Sequence, residues 1–100
     1  MSRIVGSEIL KTYSDKIPII IKCKSHTYNL IVPKNHTIMD IIVIIRSKTK
    51  ISYSDNIKIM ANTYPILDNE SIDIIYKKYR NKDNCLYLEA IVDNTFKKIT

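Results

Sequence analysis

The chain has 100 residues and a formal charge of +6; 45% of its residues are hydrophobic and 26% are charged. This length suits one small domain with a single core, and this balance excludes an intrinsically disordered chain. The longest apolar runs, at 17–21 and 41–45, are far shorter than the roughly 20 residues that span a bilayer, and the N-terminus does not read as a signal peptide. The sequence therefore predicts a single globular domain over 1–100.

The first predicted elements are a short helix and a hairpin. Residues 6–13 predict one or two helical turns, with a serine available as the cap. The segment 17–23 is nearly all apolar, which predicts a strand buried on both faces. A polar turn at 24–27 and a second strand at 28–32 then complete the hairpin.

A helix is predicted next, although its sequence is rich in isoleucine. Thr37 is a suitable N-cap, and Asp40 three positions later forms an acidic version of the capping box. β-branched residues have a low helix propensity and would favour a strand here. The cap and the polar residues that interrupt the isoleucines favour a helix that ends at about Lys48.

The second half of the chain predicts a strand, a helix and a final strand. The strand covers 57–61 and is followed by a turn at 62–65. Asp68 or Asn69 is expected to start the helix, whose apolar residues share one face, and 85–91 forms the last strand. The order hairpin, helix, strand, helix, strand predicts an α+β fold: a ubiquitin-like β-grasp with a four-stranded mixed sheet packed on helices.

Catalytic and metal-binding motifs are not evident. Cys23 and Cys85 fit no metal or redox spacing, which favours a reducing, cytoplasmic location. His26 and His36 have no Asp, Glu or Cys at metal-ligand spacing, and neither a nucleophile motif nor a phosphate-binding loop is found. We therefore expect neither an enzyme nor a cofactor.

The basic residues are spread along the chain rather than collected in one motif. A nucleic-acid partner is therefore not expected. A basic protein that acts on nucleic acid or on an anionic membrane surface remains a third hypothesis. Binding of that kind falls steeply as the salt concentration rises.

Several short motifs occur in an informative order. They are Tyr-Ser-Asp-Lys-Ile-Pro-Ile at 13–19, Leu-Ile-Val-Pro at 30–33, Ile-Ile-Arg at 44–46, Asn-Thr-Tyr-Pro at 62–65 and Lys-Asp-Asn-Cys-Leu-Tyr at 82–87. Each motif alone is weak, but their order and spacing resemble those of the GABARAP family of ubiquitin-like autophagy modifiers. The resemblance covers 9–96, and it implies that the N-terminal helical extension is shortened.

The last residues also resemble that family. Its members carry an acidic-Asn-Thr-Phe sequence, as in 93–96 here, followed by a glycine whose carboxylate is joined to phosphatidylethanolamine. In this chain Lys97 follows Phe96, and Gly6 is the single glycine. The resemblance therefore implies a β-grasp core at 16–96 and a tail at 97–100, with no covalent lipid expected.

The family binds LIR peptides, which have an aromatic-x-x-aliphatic core with flanking acids. The peptide adds as a strand beside the second strand and fills two apolar pockets. The resemblance implies that the aromatic pocket is formed by Ile9, Pro18, Ile31 and Cys85. It implies that the aliphatic pocket is formed by Leu30, Val32, Pro33, His36, Ile41 and Ile44. It also implies acidic-flank contacts, in which the acidic residues beside the peptide core are bound by Lys16, Arg46 and Lys48.

Some positions differ from the family pattern. Cys85 replaces a phenylalanine, His36 replaces a leucine, and Thr27 and Asn29 replace lysines that attract acidic peptides. The leading hypothesis is a non-lipidated, soluble regulator or competitor of autophagy that binds LIR-containing receptors or machinery proteins. The alternative is a ubiquitin-like interaction domain with a degenerate groove and an unrelated partner. Val32→Asp is expected to abolish peptide binding and leave the fold intact.

Overall fold

The computed structural model describes residues 15–93. The predicted N-terminal helix at 6–13, which includes Ile9, and the predicted tail at 97–100 lie outside the described residues. In chain order the elements are β1 (Lys16–Cys23), β2 (His26–Pro33), α1 (Ile38–Thr49), β3 (Asn56–Ala61), β4 (Tyr64–Ile66), α2 (Ile72–Tyr79) and β5 (Leu86–Asp93).

The strands form one mixed sheet in the order β2-β1-β5-β3-β4. β1 pairs antiparallel with β2 and parallel with β5, while β3 pairs antiparallel with both β5 and β4. Within residues 15–93, the first and last strands therefore lie side by side in the middle of the sheet, and β2 and β4 form its edges. This arrangement confirms the predicted β-grasp.

The predicted count of four strands was wrong, because β4 had been interpreted as part of a turn. β4 has three residues and contains Pro65, and a proline argues against a strand when only the sequence is considered. The pairing of Ile59 with Ile66 adds this segment to the sheet. Asn62 and Thr63 both have positive φ (49° and 70°), as in the two-residue turns that match the twist of a hairpin.

Helix α1 forms despite its isoleucines because its cap and its burial outweigh propensity. The backbone N–H of Thr37 donates to Asp40 Oδ2 at 2.8 Å, which confirms the predicted capping box. This hydrogen bond from Thr37 is the main cause that lowers the pKa of the Asp40 carboxyl below 3.8. The buried residues recur at helical spacing and pack against the sheet: Ile38, Ile41, Ile42 and Ile45.

Helix α2 begins at Ile72, later than the predicted Asp68 or Asn69. The segment before α2 forms hydrogen bonds with the start of α1 instead of extending α2. The carbonyl oxygen of Asp68 accepts the backbone N–H of Met39 at 2.9 Å, and that of Glu70 accepts the N–H of Ile38 at 3.1 Å. Residues 68–70 thus satisfy N–H groups that a helix start leaves without partners, which holds them outside α2.

The hydrophobic core lies between the sheet and the two helices. Alternate residues of β1 and β5 face it, as expected for a strand period of two. These residues are Ile17, Ile19, Ile21, Cys23, Leu86, Leu88 and Ala90. Within 15–93, neither helix is long and apolar enough to cross a membrane.

Candidate functional site

The edge strand β2 has two chemically different faces. Leu30 and Val32 point into the core and are 6% and 2% exposed, whereas Ile31 between them is 39% exposed on the outer face of the sheet. Thr27 and Asn29 share the face of Ile31 because side chains alternate along a strand. The same eight residues therefore close the core and present an apolar side chain at the sheet edge.

The backbone of β2 also has two sides. Lys34 N–H donates to Asp15 O at 3.0 Å, and these residues continue the β1–β2 register. Hydrogen-bonded and non-hydrogen-bonded pairs alternate in an antiparallel ladder. The N–H and C=O groups of Thr27, Asn29 and Ile31 therefore point away from β1, towards the open edge.

Three residues of the predicted aromatic pocket lie in one row across three strands, here called the outer row. Ile31 pairs with Pro18. The parallel register of Ile19 with Leu86, extended by one residue, places Cys85 beside Pro18 on its other side. Pro18 and Cys85 are buried and Ile31 is exposed. Ile9, the fourth predicted member, lies outside the described residues.

The predicted aliphatic-pocket residues belong mostly to the core. Ile41 is fully buried on α1 and, like Leu30 and Val32, it is part of the single hydrophobic cluster. Ile44 is partly buried against that cluster. Pro33, the last residue of β2, and His36, between β2 and α1, are half-buried. The surface on this side of β2 is therefore formed by the last three residues.

The three predicted acidic-flank residues do not lie together. Lys16 pairs with Pro33 at the start of β1, whereas Lys48 shares a cavity with Cys23 at the other end of that strand. The length of β1 separates these two ends by roughly 23 Å. The Arg46 guanidinium donates to Ser52 O at 2.9 Å and to Asp55 O at 2.7 Å, so it ties α1 to the loop that follows.

A second feature was missed by the sequence analysis: a basic cavity of about 290 Å³ beside Lys48. The tip of the β1–β2 hairpin and the C-terminus of α1 meet there. Its lining residues are Cys23, Lys24, His26, Tyr28, Lys48, Thr49 and Lys50. The available sequence signal was a lysine at the end of each element: Lys24 lies in the hairpin turn, and Lys50 is the C-cap of α1. The sequence alone does not show that these two ends meet.

The titratable groups within 15–93 give no sign of a metal or thiol site. No group of three or more His, Cys, Asp or Glu among these residues could hold a metal ion. Cys23 and Cys85 are free and buried. Burial raises the pKa of the Cys23 thiol above 9.0, while nearby Lys24 acts in the opposite direction, so the thiol stays protonated at neutral pH.

Comparison with known proteins places this geometry in a family. The sequence model described as autophagy protein Atg8, ubiquitin like, matches residues 2–97. The crystal structure of Trypanosoma brucei ATG8 is similar, with a TM-score of 0.81 and 17% sequence identity over 87% of this chain and 81% of that one. A comparison with curated protein sequences gave no match. At this identity the structural likeness shows the fold.

Proposed function

This chain belongs to the Atg8 ubiquitin-like family of autophagy proteins, and on that premise we propose that β2 binds LIR peptides by strand addition. The peptide backbone pairs with the outward groups of Thr27, Asn29 and Ile31, and its aromatic anchor contacts the outer row at Ile31, its exposed member. Strand addition draws affinity from backbone hydrogen bonds and specificity from side-chain pockets. The protein then acts as a binding module, with autophagy receptors or machinery proteins as its partners in the cytoplasm.

The open edge of β2 is the observation that carries this proposal. β2 is eight residues long and pairs only with β1 within the described residues. Long unpaired edges attract other strands, and Ile31 adds exposed apolar surface at the centre of this one. The resemblance to the GABARAP subfamily supports the same edge, since the motif at 30–33 lies on it.

The alternative, a degenerate groove with an unrelated partner, is favoured by the burial of the aliphatic set. Leu30, Val32 and Ile41 expose almost no surface, so a peptide aliphatic anchor contacts mainly Ile44, Pro33 and His36. A peptide that gains affinity from its aromatic residue alone points to this alternative. A peptide whose two anchors contribute equally points to the complete groove.

Calorimetric titration with an LIR peptide, and with a version in which both anchors are alanine, tests the proposal. Ile31→Asp is the test variant, and Ile91→Asp is its matched control, because Ile91 is 41% exposed on β5 and Ile31 is 39% exposed on β2. We expect binding to native protein and to Ile91→Asp, with a loss of about tenfold or more in Ile31→Asp, since a charge next to the apolar anchor costs on the order of 1–3 kcal/mol. Equal affinity of both variants would rule out the β2 edge.

We also propose that the protein works without conjugation after Phe96. Conjugation in the family uses a glycine at the position where this chain has Lys97. The test is incubation with the family's activating and conjugating enzymes and phosphatidylethanolamine vesicles. The native chain is expected to stay unmodified, while a chain that ends in Lys97→Gly becomes lipidated. Modification of the native chain at this position contradicts the proposal.

A further inference from the structure

We infer that the basic cavity binds a compact phosphate-bearing anion. The cavity is formed by two separate pieces of the chain: the tip of the β1–β2 hairpin, which includes the end of β1 and the start of β2, and the C-terminus of α1. Lys24, Lys48 and Lys50 supply three positive charges around about 290 Å³, with the ring of His26 beside them. No carboxylate among residues 15–93 lines this cavity.

The three lysines differ from most other basic residues near the helices, because no residue in 15–93 forms an ion pair or a hydrogen bond with their ammonium groups. Lys77 pairs with Asp73 at 3.2 Å, and Arg46 donates to two loop carbonyls. Among residues 15–93, no ion pair, hydrogen bond or aromatic contact engages the ammonium groups of Lys24, Lys48 or Lys50. Convergent cations without counter-charges repel one another, and a bound anion relieves that repulsion.

The helix terminus does not account for the lysines. Cations are favourable near the C-terminal carbonyls of a helix, but two carbonyls of the last turns of α1 already have donors from residues of the helix end itself. Thr49 Oγ1 donates to Ile45 O at 2.7 Å, and Lys50 N–H donates to Arg46 O at 3.2 Å. The last residues of α1 therefore supply part of its C-terminal cap through Thr49 Oγ1 and the backbone of Lys50, and neither bond uses a lysine ammonium group.

The chemistry of the cavity selects phosphate. Lysine ammonium groups bind phosphate as point charges with three donors each, so three of them can surround a pyrophosphate or the vicinal phosphates of an inositol. The His26 ring stacks on Tyr28 with centroids 6.3 Å apart, which fixes one wall of the cavity. The anion can be free in solution or the headgroup of a phosphoinositide, because both present the same phosphate groups.

The test uses two probes and two charge-matched triple variants. Lys24→Gln, Lys48→Gln and Lys50→Gln together remove the cavity charges. Lys34→Gln, Lys58→Gln and Lys82→Gln remove the same net charge at exposed positions elsewhere. Inositol hexakisphosphate is titrated by calorimetry, and flotation is measured with phosphatidylcholine vesicles that contain or lack phosphatidylinositol bisphosphate. Thermal unfolding confirms that both variants are folded.

We expect one saturable site that weakens about tenfold or more in the cavity variant and about twofold or less in the control, since each charged hydrogen bond contributes on the order of tenfold or more. The same contrast seen only with phosphoinositide vesicles also supports the site and identifies a lipid headgroup as the source. Equal losses in the two variants, or no binding of either probe, overturn the inference. Ile31→Asp is expected to leave anion binding unchanged, which separates this site from the β2 groove.

Discussion

The two edges of the sheet differ in what their backbones offer to a partner. On β2, Thr27, Asn29 and Ile31 direct N–H groups outward, and the outward position without an N–H is Pro33, the last residue of the strand. On β4, the two-residue turn makes Ala61 and Tyr64 the hydrogen-bonded pair. The outward position of β4 is therefore Pro65, which has no N–H to give.

Each edge thus carries a proline on its outward side, and the place of the proline determines what the edge can do. Pro65 lies in the middle of the three-residue strand β4, where it removes the outward N–H donor and prevents pairing with another strand. This is one of the ways in which proteins protect sheet edges. Pro33 lies at the end of the eight-residue strand β2, so the three outward residues before it keep their N–H groups and can pair with a partner strand. Strand addition is therefore directed to β2.

The largest expected change in stability comes from a substitution on the face of β2 that points into the core. Val32→Asp places a carboxylate in the core, where Val32 is 2% exposed, and burial of an unpaired charge is expected to cost about 3 kcal/mol or more. Urea denaturation measures the loss, with Ile31→Asp as the neighbour that changes stability by about 0.5 kcal/mol or less. The burial of Val32 therefore argues against the sequence-based expectation that Val32→Asp leaves the fold intact. Equal stabilities of the two variants would contradict the assignment of Val32 to the core face of β2 and of Ile31 to its exposed face.

A proline moved into the centre of β2 should make this edge resemble β4. Ile31→Pro removes an outward N–H, so LIR peptide affinity should fall about tenfold, while the ladder to β1 keeps its bonds. Leu30→Pro is the comparison, because it removes an inward N–H and should lower the melting temperature far more. Unchanged peptide affinity in Ile31→Pro would show that the outward donors are not used.

The helix that covers β2 should respond to pH through Asp40. Loss of the capping carboxylate in Asp40→Asn is expected to lower the free energy of unfolding by about 1 kcal/mol at neutral pH. Because folding lowers the pKa of Asp40 from 3.8, this contribution is complete above that value and disappears as the pH falls through the folded-state pKa. Denaturation curves from pH 7 to pH 2 should therefore converge for native and variant protein. The exposed Asp68→Asn is the control, and a constant difference at all pH values would contradict the assignment.

The smallest change in stability is expected at the turn before β4, the edge strand that contains Pro65. Thr63 holds a φ of 70° in the turn before β4, and a β-branched residue is strained there. Thr63→Gly should raise the free energy of unfolding by about 0.5–1 kcal/mol. Asn62→Gly should gain less, because asparagine tolerates positive φ. Thermal unfolding distinguishes the two, and a loss of stability in Thr63→Gly would show that the threonine side chain has contacts that outweigh the strain.

The elements with strong local signals were predictable from the sequence. The capping box at Thr37 and Asp40 identified α1 against its β-branched composition, and the apolar run at 17–21 identified β1. β4 was not predictable, because three residues around Pro65 become a strand only when β3 lies beside them. The start of α2 was missed for a similar reason, since residues 68–70 bond to the first turn of α1.

The candidate site was predictable in part. A resemblance of motifs could select Ile31 and Pro18, which the register makes direct neighbours. It could not show that Val32 and Ile41 are closed into the core, because exposure depends on how α1 packs on the sheet. The basic cavity has no sequence motif at all. Lys24 and Lys50 are 26 positions apart in the printed sequence and share a cavity only in the folded chain.

The parallel pairing of β1 with β5 has a consequence for how the protein is made. On the ribosome, the hairpin and α1 emerge before β5, which is the central neighbour of β1 and the last of the described strands in chain order. Until Leu86–Asp93 has emerged, β1 and β3 each present an unpaired edge next to apolar residues such as Ile19 and Ile59, surfaces that favour aggregation. The nascent chain is thus expected to need protection by chaperones until β5 has emerged.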